Sequence, residues 1–195
     1  MCIRDRGTVA AEPEAAAGGT VSDTDFELIT SLYAAGEADA DITIFEFSNL
    51  GCGYCQRHHT DGTLASVAEQ SELNVAYYVG INEGYNPDQS KATACAGAIS
   101  GAEGYDTAKD HFFGGGTLLN VADVVGISQD ELTACMATTQ PDELFTKVST
   151  LSSNYGLTGT PSHLVINNET KEYIAVPGAY PAAQFLAAIE QLTNP

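Results

Sequence analysis

The run DITIFEF at residues 41–47, β-branched and aromatic, stops at SNLGCGYC, a turn followed by helix-compatible sequence. Ile42 to Phe47 is the strongest strand prediction in the chain. A second apolar run, LNVAYYVG at residues 73–80, has the length and composition of a parallel strand reached through a crossover helix from about Cys55 to Gln70. The two runs predict a β-α-β unit with a cysteine pair at its strand-to-helix junction.

The rest of the chain arranges itself around that unit. Residues 1–22 read as a flexible tail, loose and rich in Ala, Gly and Glu from residue 7 on. Phe26, Leu28, Ile29, Leu32 and Tyr33 then give a short, imperfect helical spacing. Between 87 and 155 the pattern is helical, with pieces separated by Gly, Asn and Pro. Ser128 followed by Glu131 fits a capping box, and Gln140-Pro141 marks the next helix start. SHLVINN and KEYIAV predict a hairpin, and a last helix runs from about Pro181 to Leu192. The expected organisation is a sheet domain over 23–86 and 156–195, interrupted by a helical insertion at 87–155.

Charge narrows the function. The 195 residues carry 26 Asp and Glu against 7 Lys and Arg, a formal net charge of -19. Nucleic acid is excluded as a partner because no basic stripe exists to neutralise phosphates, and an anionic membrane surface would repel the chain. No apolar run approaches the roughly 20 residues of a membrane span, so no direct membrane insertion is expected. The opening MCIRDR resembles a translated adapter fragment, and no export signal is visible. That leaves room for a native start, with a leader, missing from this chain. Cys2 is read as an incidental thiol.

Cys52 and Cys55 in CGYC have the spacing of a dithiol that closes into a small disulfide ring. Free N–H groups and the positive end of the helix would stabilise a thiolate at Cys52, while Cys55, one turn on, could attack a mixed disulfide formed there. Gly53 and Tyr54 shape the turn, and Arg57, His58 and His59 would add positive charge that lowers the Cys52 pKa further. From the residues alone, two other readings stay open: a merely structural disulfide, and zinc held by the cysteines with His58 or His59. The histidines individually read as a solvated helix face. Glu46 on the strand faces either inward or outward, and Pro161 could merely start a strand.

FEFSNLGCGYC, GLTGTPSHLVI about a hundred residues later, and the helical block between them resemble the disulfide-bond protein A (DsbA) family of thiol oxidoreductases. The resemblance extends from about Asp41 to the C-terminus. It implies an α/β thioredoxin fold with an inserted helical subdomain, and a protein thiol:disulfide oxidoreductase with no cofactor beyond a redox-active Cys52–Cys55 disulfide and no metal. It also implies that Pro161 is cis and that, with Thr160, it faces the dithiol and binds an extended substrate segment. Glu46 would be the buried acid, with a raised pKa, that exchanges a proton with Cys55. Cys95 and Cys135 would pair as a structural disulfide, against the alternative of two buried free thiols.

The Gly-Tyr dipeptide and Thr160 resemble the pattern of the related isomerases and reductases. A dithiol oxidase is the favoured expectation, with a reductase or isomerase as the alternative and a non-catalytic binding or chaperone module as a further one. The implied partners are cysteine-containing substrate proteins and a membrane-bound or soluble redox partner. The implied location is periplasmic or otherwise extracytoplasmic.

Overall fold

A computed structural model of the chain describes residues 16–35 and 39–194. The predicted strand is β3 (Ile42–Ser48), and every one of its residues is buried. It pairs in parallel with β4 (Val75–Ile81) and antiparallel with β5 (Ser162–Asn167), so both backbone edges and both faces are covered. Such a strand is mostly apolar on both sides, which is why Ile42, Ile44, Phe45 and Phe47 do not alternate regularly with polar residues as in a surface strand. β5 turns back into β6 (Glu172–Val176) as the expected hairpin.

Residues 16–20, expected within the tail, instead form β1 (Ala16–Thr20), which pairs with the outer edge of β6. The rest of the expected tail, with Cys2, falls on residues 1–15, outside those described, and on Val21 and Ser22. Val21 is buried, and Ser22 caps α1 (Asp23–Thr30). A two-residue strand, β2 (Ala34–Ala35), closes the other side, giving the order β1-β6-β5-β3-β4-β2.

The two faces of β3 serve different layers. Ile42 and Ile44 pack with Val165 and with Leu64, Val67 and Phe185 from α3 (Thr63–Gln70) and α8 (Ala182–Thr193). Phe45 and Phe47 pack with Val148 and Leu151 of α7 (Gln140–Asn154). The single crossover helix expected from about Cys55 to Gln70 is two helices, α2 (Gly53–Thr60) and α3, broken at Gly62, whose φ of 63° lies where a side chain is strained.

The helical insertion contains α4 (Pro87–Phe113), kinked at Gly101, then α5 (Val121–Val125), α6 (Gln129–Met136) and α7. Ser128 and Glu131 form the capping box at the head of α6. A disulfide between Cys95 and Cys135 ties α4 to α6, with Cα atoms 5.8 Å apart. The insertion is anchored on the sheet by Tyr105, fully buried, whose hydroxyl donates to the Val79 carbonyl (2.9 Å) and accepts from the Ile81 N–H (3.1 Å). These are backbone groups of β4, and the hydroxyl satisfies both where sheet pairing stops.

Candidate active site at the Cys52–Cys55 dithiol

The chain leaves β3 through a turn that Asn49 organises. Its side-chain oxygen accepts from the Gly51 N–H (2.7 Å), and its amide nitrogen donates to the Asn82 side-chain oxygen (2.6 Å). Gly84 makes room for it, since a Cβ there would overlap the Asn49 amide. The Cys52 N–H donates to the Asn49 carbonyl (3.0 Å), and the Cys52 carbonyl accepts from the Gln56 N–H (3.0 Å). Cys52 is thus the N-cap of α2, with no side-chain cap hydrogen bond. The first N–H groups of the helix are left to its sulfur.

The two thiols are unequal. Cys52 is partly exposed and Cys55, one turn on, is fully buried. Burial works against the Cys52 thiolate, but the polar groups around its sulfur, the Cys55 and Tyr54 backbone, the Thr160 side chain and the Cys55 thiol, outweigh it and hold the pKa below the ordinary thiol value. Burial pushes the Cys55 thiol up to about 12, against weaker opposing contacts from Ser48, Asn49 and Thr160.

Thr160 reaches the pair from the far end of the chain. The Cys52 thiol donates to its carbonyl oxygen at 3.2 Å, and the Thr160-Pro161 peptide bond is cis. Gly53 is open to solvent, Tyr54 is 62% exposed, and the Arg57 guanidinium lies over the Tyr54 ring, 4.9 Å from its centroid. A groove of about 630 Å³ runs from Cys52 and Thr160 between the Leu157–Thr160 segment and α7, with Phe47, Val148 and exposed Tyr85 among its lining residues.

Three expectations change. His58 does not lie on a solvated helix face: it is buried against the sheet, and burial lowers its pKa to about 4. His59 turns the other way, stacking on Phe113 and lying 3.3 Å from Asp110. Neither histidine supplies the charge expected beside Cys52, whose shift comes from the polar groups of Cys55, Thr160 and Tyr54 around its sulfur. Glu46 does point inward, but its pKa is lowered rather than raised. Burial alone would raise it, and the nearby His163 and His58 more than reverse that.

Glu46 stands directly opposite His163 across the β3–β5 ladder, on one face of the sheet with His58 packed over it. Ser48, two residues on and therefore on the same face, is fully buried between Glu46 and Cys55, without a hydrogen bond of normal geometry. Sequence reasoning missed His163, Ser48, Asn49 and Asn82. Only His163 left a signal: it lies two residues beyond Pro161 on a strand whose alternate positions face the sheet interior.

Sheet order, the helical insertion after β4, and a dithiol at the head of α2 opposite a cis-proline loop define a thioredoxin-fold protein with a Cys-x-x-Cys centre. The chain belongs to the thioredoxin-like domain family, whose model matches residues 31–193. Among curated proteins none matches the sequence. Solved structures share the fold. DsbA2 of Pseudomonas aeruginosa is 24% identical, with 82% of this chain and 93% of that one covered and a TM-score of 0.70. A thioredoxin-like oxidoreductase from Silicibacter pomeroyi is 20% identical over 90% and 99% of the two chains, with a TM-score of 0.71. The catalytic domain of Proteus mirabilis ScsC is 17% identical over 87% and 94%, with a TM-score of 0.65.

Proposed function

We propose that the chain is a protein thiol:disulfide oxidoreductase acting on cysteines of exported proteins, and that it works as a dithiol oxidase. The observation that carries this is the inequality of the two thiols. A substrate thiolate attacks Cys52 of the oxidised pair, the Cys52–Cys55 bond breaks, and Cys55 leaves and takes a proton, as its high pKa favours. A second substrate thiolate then attacks the substrate sulfur of the mixed disulfide and expels Cys52 as a stabilised thiolate. The substrate has lost two electrons and the enzyme holds them as a dithiol, which a membrane-bound or soluble oxidant must reoxidise.

Gly53, Tyr54, Thr160 and Pro161 are the assigned substrate contacts, with the Thr160 backbone pairing an extended segment beside Cys52. A periplasmic or otherwise extracytoplasmic location is supported by the Cys95–Cys135 disulfide, a bond that persists in oxidising compartments. Among the described residues no helix is long and apolar enough to cross a membrane. The oxidase direction draws support from the lowered Cys52 pKa, because stabilising the reduced form makes a dithiol more oxidising.

The deciding experiment has two arms. Oxidation of a model dithiol peptide should vanish in Cys52→Ser, and persistence would overturn the enzyme reading. Equilibration with glutathione should give a reduction potential nearer -120 mV than -270 mV, and a value at the low end would assign the reductase direction.

A further inference from the structure

Below the dithiol, on the face of β3 and β5 that α2 covers, three donor groups converge, and only Glu46 has an expected role, the proton exchange with Cys55 that the resemblance implies. One Glu46 carboxylate oxygen lies 3.6 Å from His163 Nε2 and 3.9 Å from His58 Nε2, and the three donor atoms all fall within 4.8 Å of one another. All three residues are buried, at 4%, 0% and 3% exposure for Glu46, His163 and His58. Both Nε2 atoms are sealed from solvent without a hydrogen-bond partner. Separations of 3.6 and 3.9 Å are too long for hydrogen bonds, and leaving such atoms buried and unpaired is destabilising. Two unpartnered imidazole nitrogens and a carboxylate converging in this way have the arrangement of a cation site.

The outer shell is already built. His163 Nδ1 lies 3.1 Å from the Val176 carbonyl, which can only accept. Nδ1 therefore carries a hydrogen, and Nε2 is the ring nitrogen left facing Glu46, the arrangement that orients metal-binding histidines. Phe185 packs against both imidazoles, with ring centroids 4.8 Å from His163 and 5.7 Å from His58. A cavity of about 160 Å³, lined by Glu46 and His58 and extending past Tyr77 to Asp106 and exposed Asp110, offers an entry path and space for a water. Lys109 also lines it, but its ammonium lies 2.7 Å from Asp106 and 3.5 Å from Asp110.

We infer that Glu46, His58 and His163 bind one zinc ion, with a water in the fourth position, and that the ion clamps α2 onto β3 and β5 beneath the dithiol. Two imidazoles and a carboxylate are a zinc donor set. Bonds of 2.0–2.1 Å in a tetrahedron place donors about 3.3 Å apart, so the side chains close on the ion by less than about 1 Å each. The site is separate from Cys52 and Cys55 and does not rest on the oxidoreductase reading.

The test uses the full chain in its oxidised form, stripped with a chelator and with any remaining thiol alkylated, so that no thiolate competes. Zinc is titrated by calorimetry and cobalt(II) by visible absorption. One ion should bind per chain, with the intense bands of a four-coordinate cobalt site and no thiolate charge transfer. His163→Ala, His58→Ala and the near-isosteric Glu46→Gln should each weaken zinc binding by more than the 10–100-fold that loss of an outer-shell partner produces. If the variants do not fold, a chelator-reversible rise in the thermal midpoint of the unmutated chain, together with the cobalt spectrum, decides. No binding by the unmutated chain, or binding undiminished in all three folded variants, overturns the assignment.

Discussion

The sulfur of Cys52 and the carbonyl oxygen of Thr160 lie 3.2 Å apart, although 108 residues separate them in sequence. As a thiol, Cys52 donates to that oxygen. In the oxidised pair, as in a mixed disulfide, it has no hydrogen to donate, so the carbonyl is without that donor whenever Cys52 is disulfide-bonded. On the proposed function, the carbonyl then accepts from a substrate N–H.

Trapping follows from the different burial of the two sulfurs. Cys55→Ser should accumulate mixed disulfides at Cys52 when offered an oxidised peptide, because no buried thiol remains to resolve them. Cys52→Ser should accumulate none. Mass spectrometry under non-reducing conditions, before and after a reductant, distinguishes the two variants.

The stability of the reduced protein should depend on pH in two opposite windows. Cys52 has a folded pKa below its unfolded value of about 8.5. Its contribution is present above that value and is lost as pH falls through the folded pKa. Cys55, pushed up to about 12, contributes stability below about 8.5 that is lost as pH rises toward 12. The stability difference between reduced and oxidised forms should therefore rise with pH up to the ordinary thiol range and fall beyond it. Urea unfolding of both forms across pH measures this, since the disulfide form titrates at neither sulfur.

Asn49→Ala removes the acceptor of the Gly51 N–H and the donor to Asn82. A loss of about 1–3 kcal/mol is expected from the groups left unpaired. The alkylation rate of Cys52 should drop as well, because the loosened turn no longer holds the helix N–H groups on the sulfur. Stopped-flow alkylation and urea unfolding read the two effects separately.

Cys95→Ala with Cys135→Ala opens a loop of sequence separation 40. The chain-entropy estimate for that loop is about 4 kcal/mol of stability. Thiol exchange at Cys52 should survive at temperatures where the variant stays folded, because the disulfide lies between α4 and α6 and contributes no sulfur to the reaction. Thermal unfolding and peptide oxidation at low temperature test both halves.

The elements that could be read in the sequence are those whose information is local. β3 announces itself because a strand buried on both faces is rich in β-branched and aromatic residues, and the capping box of α6 because it closes within four residues. β1 escaped because AAGGT has neither apolar alternation nor strand propensity. It is a strand only because the free edge of β6 pairs with it. The break at Gly62 escaped because helical spacing continues on both sides of it.

At the site, the CGYC spacing marked the dithiol, and the resemblance carried by it and by Thr160-Pro161 implied that the two would meet, but neither brought His163 to Glu46. Tertiary structure decided their electrical character. Glu46 was expected to carry a raised pKa, which burial by itself would produce. It has a lowered one because β5 sets His163 opposite it and α2 brings His58 over it. His58 looked like a surface residue until the helix was laid on the sheet. A side chain's ionisation depends on the water it loses and the partners it gains, and both are fixed by segments far away in the chain. Spacing in sequence names the groups, and packing sets their charge.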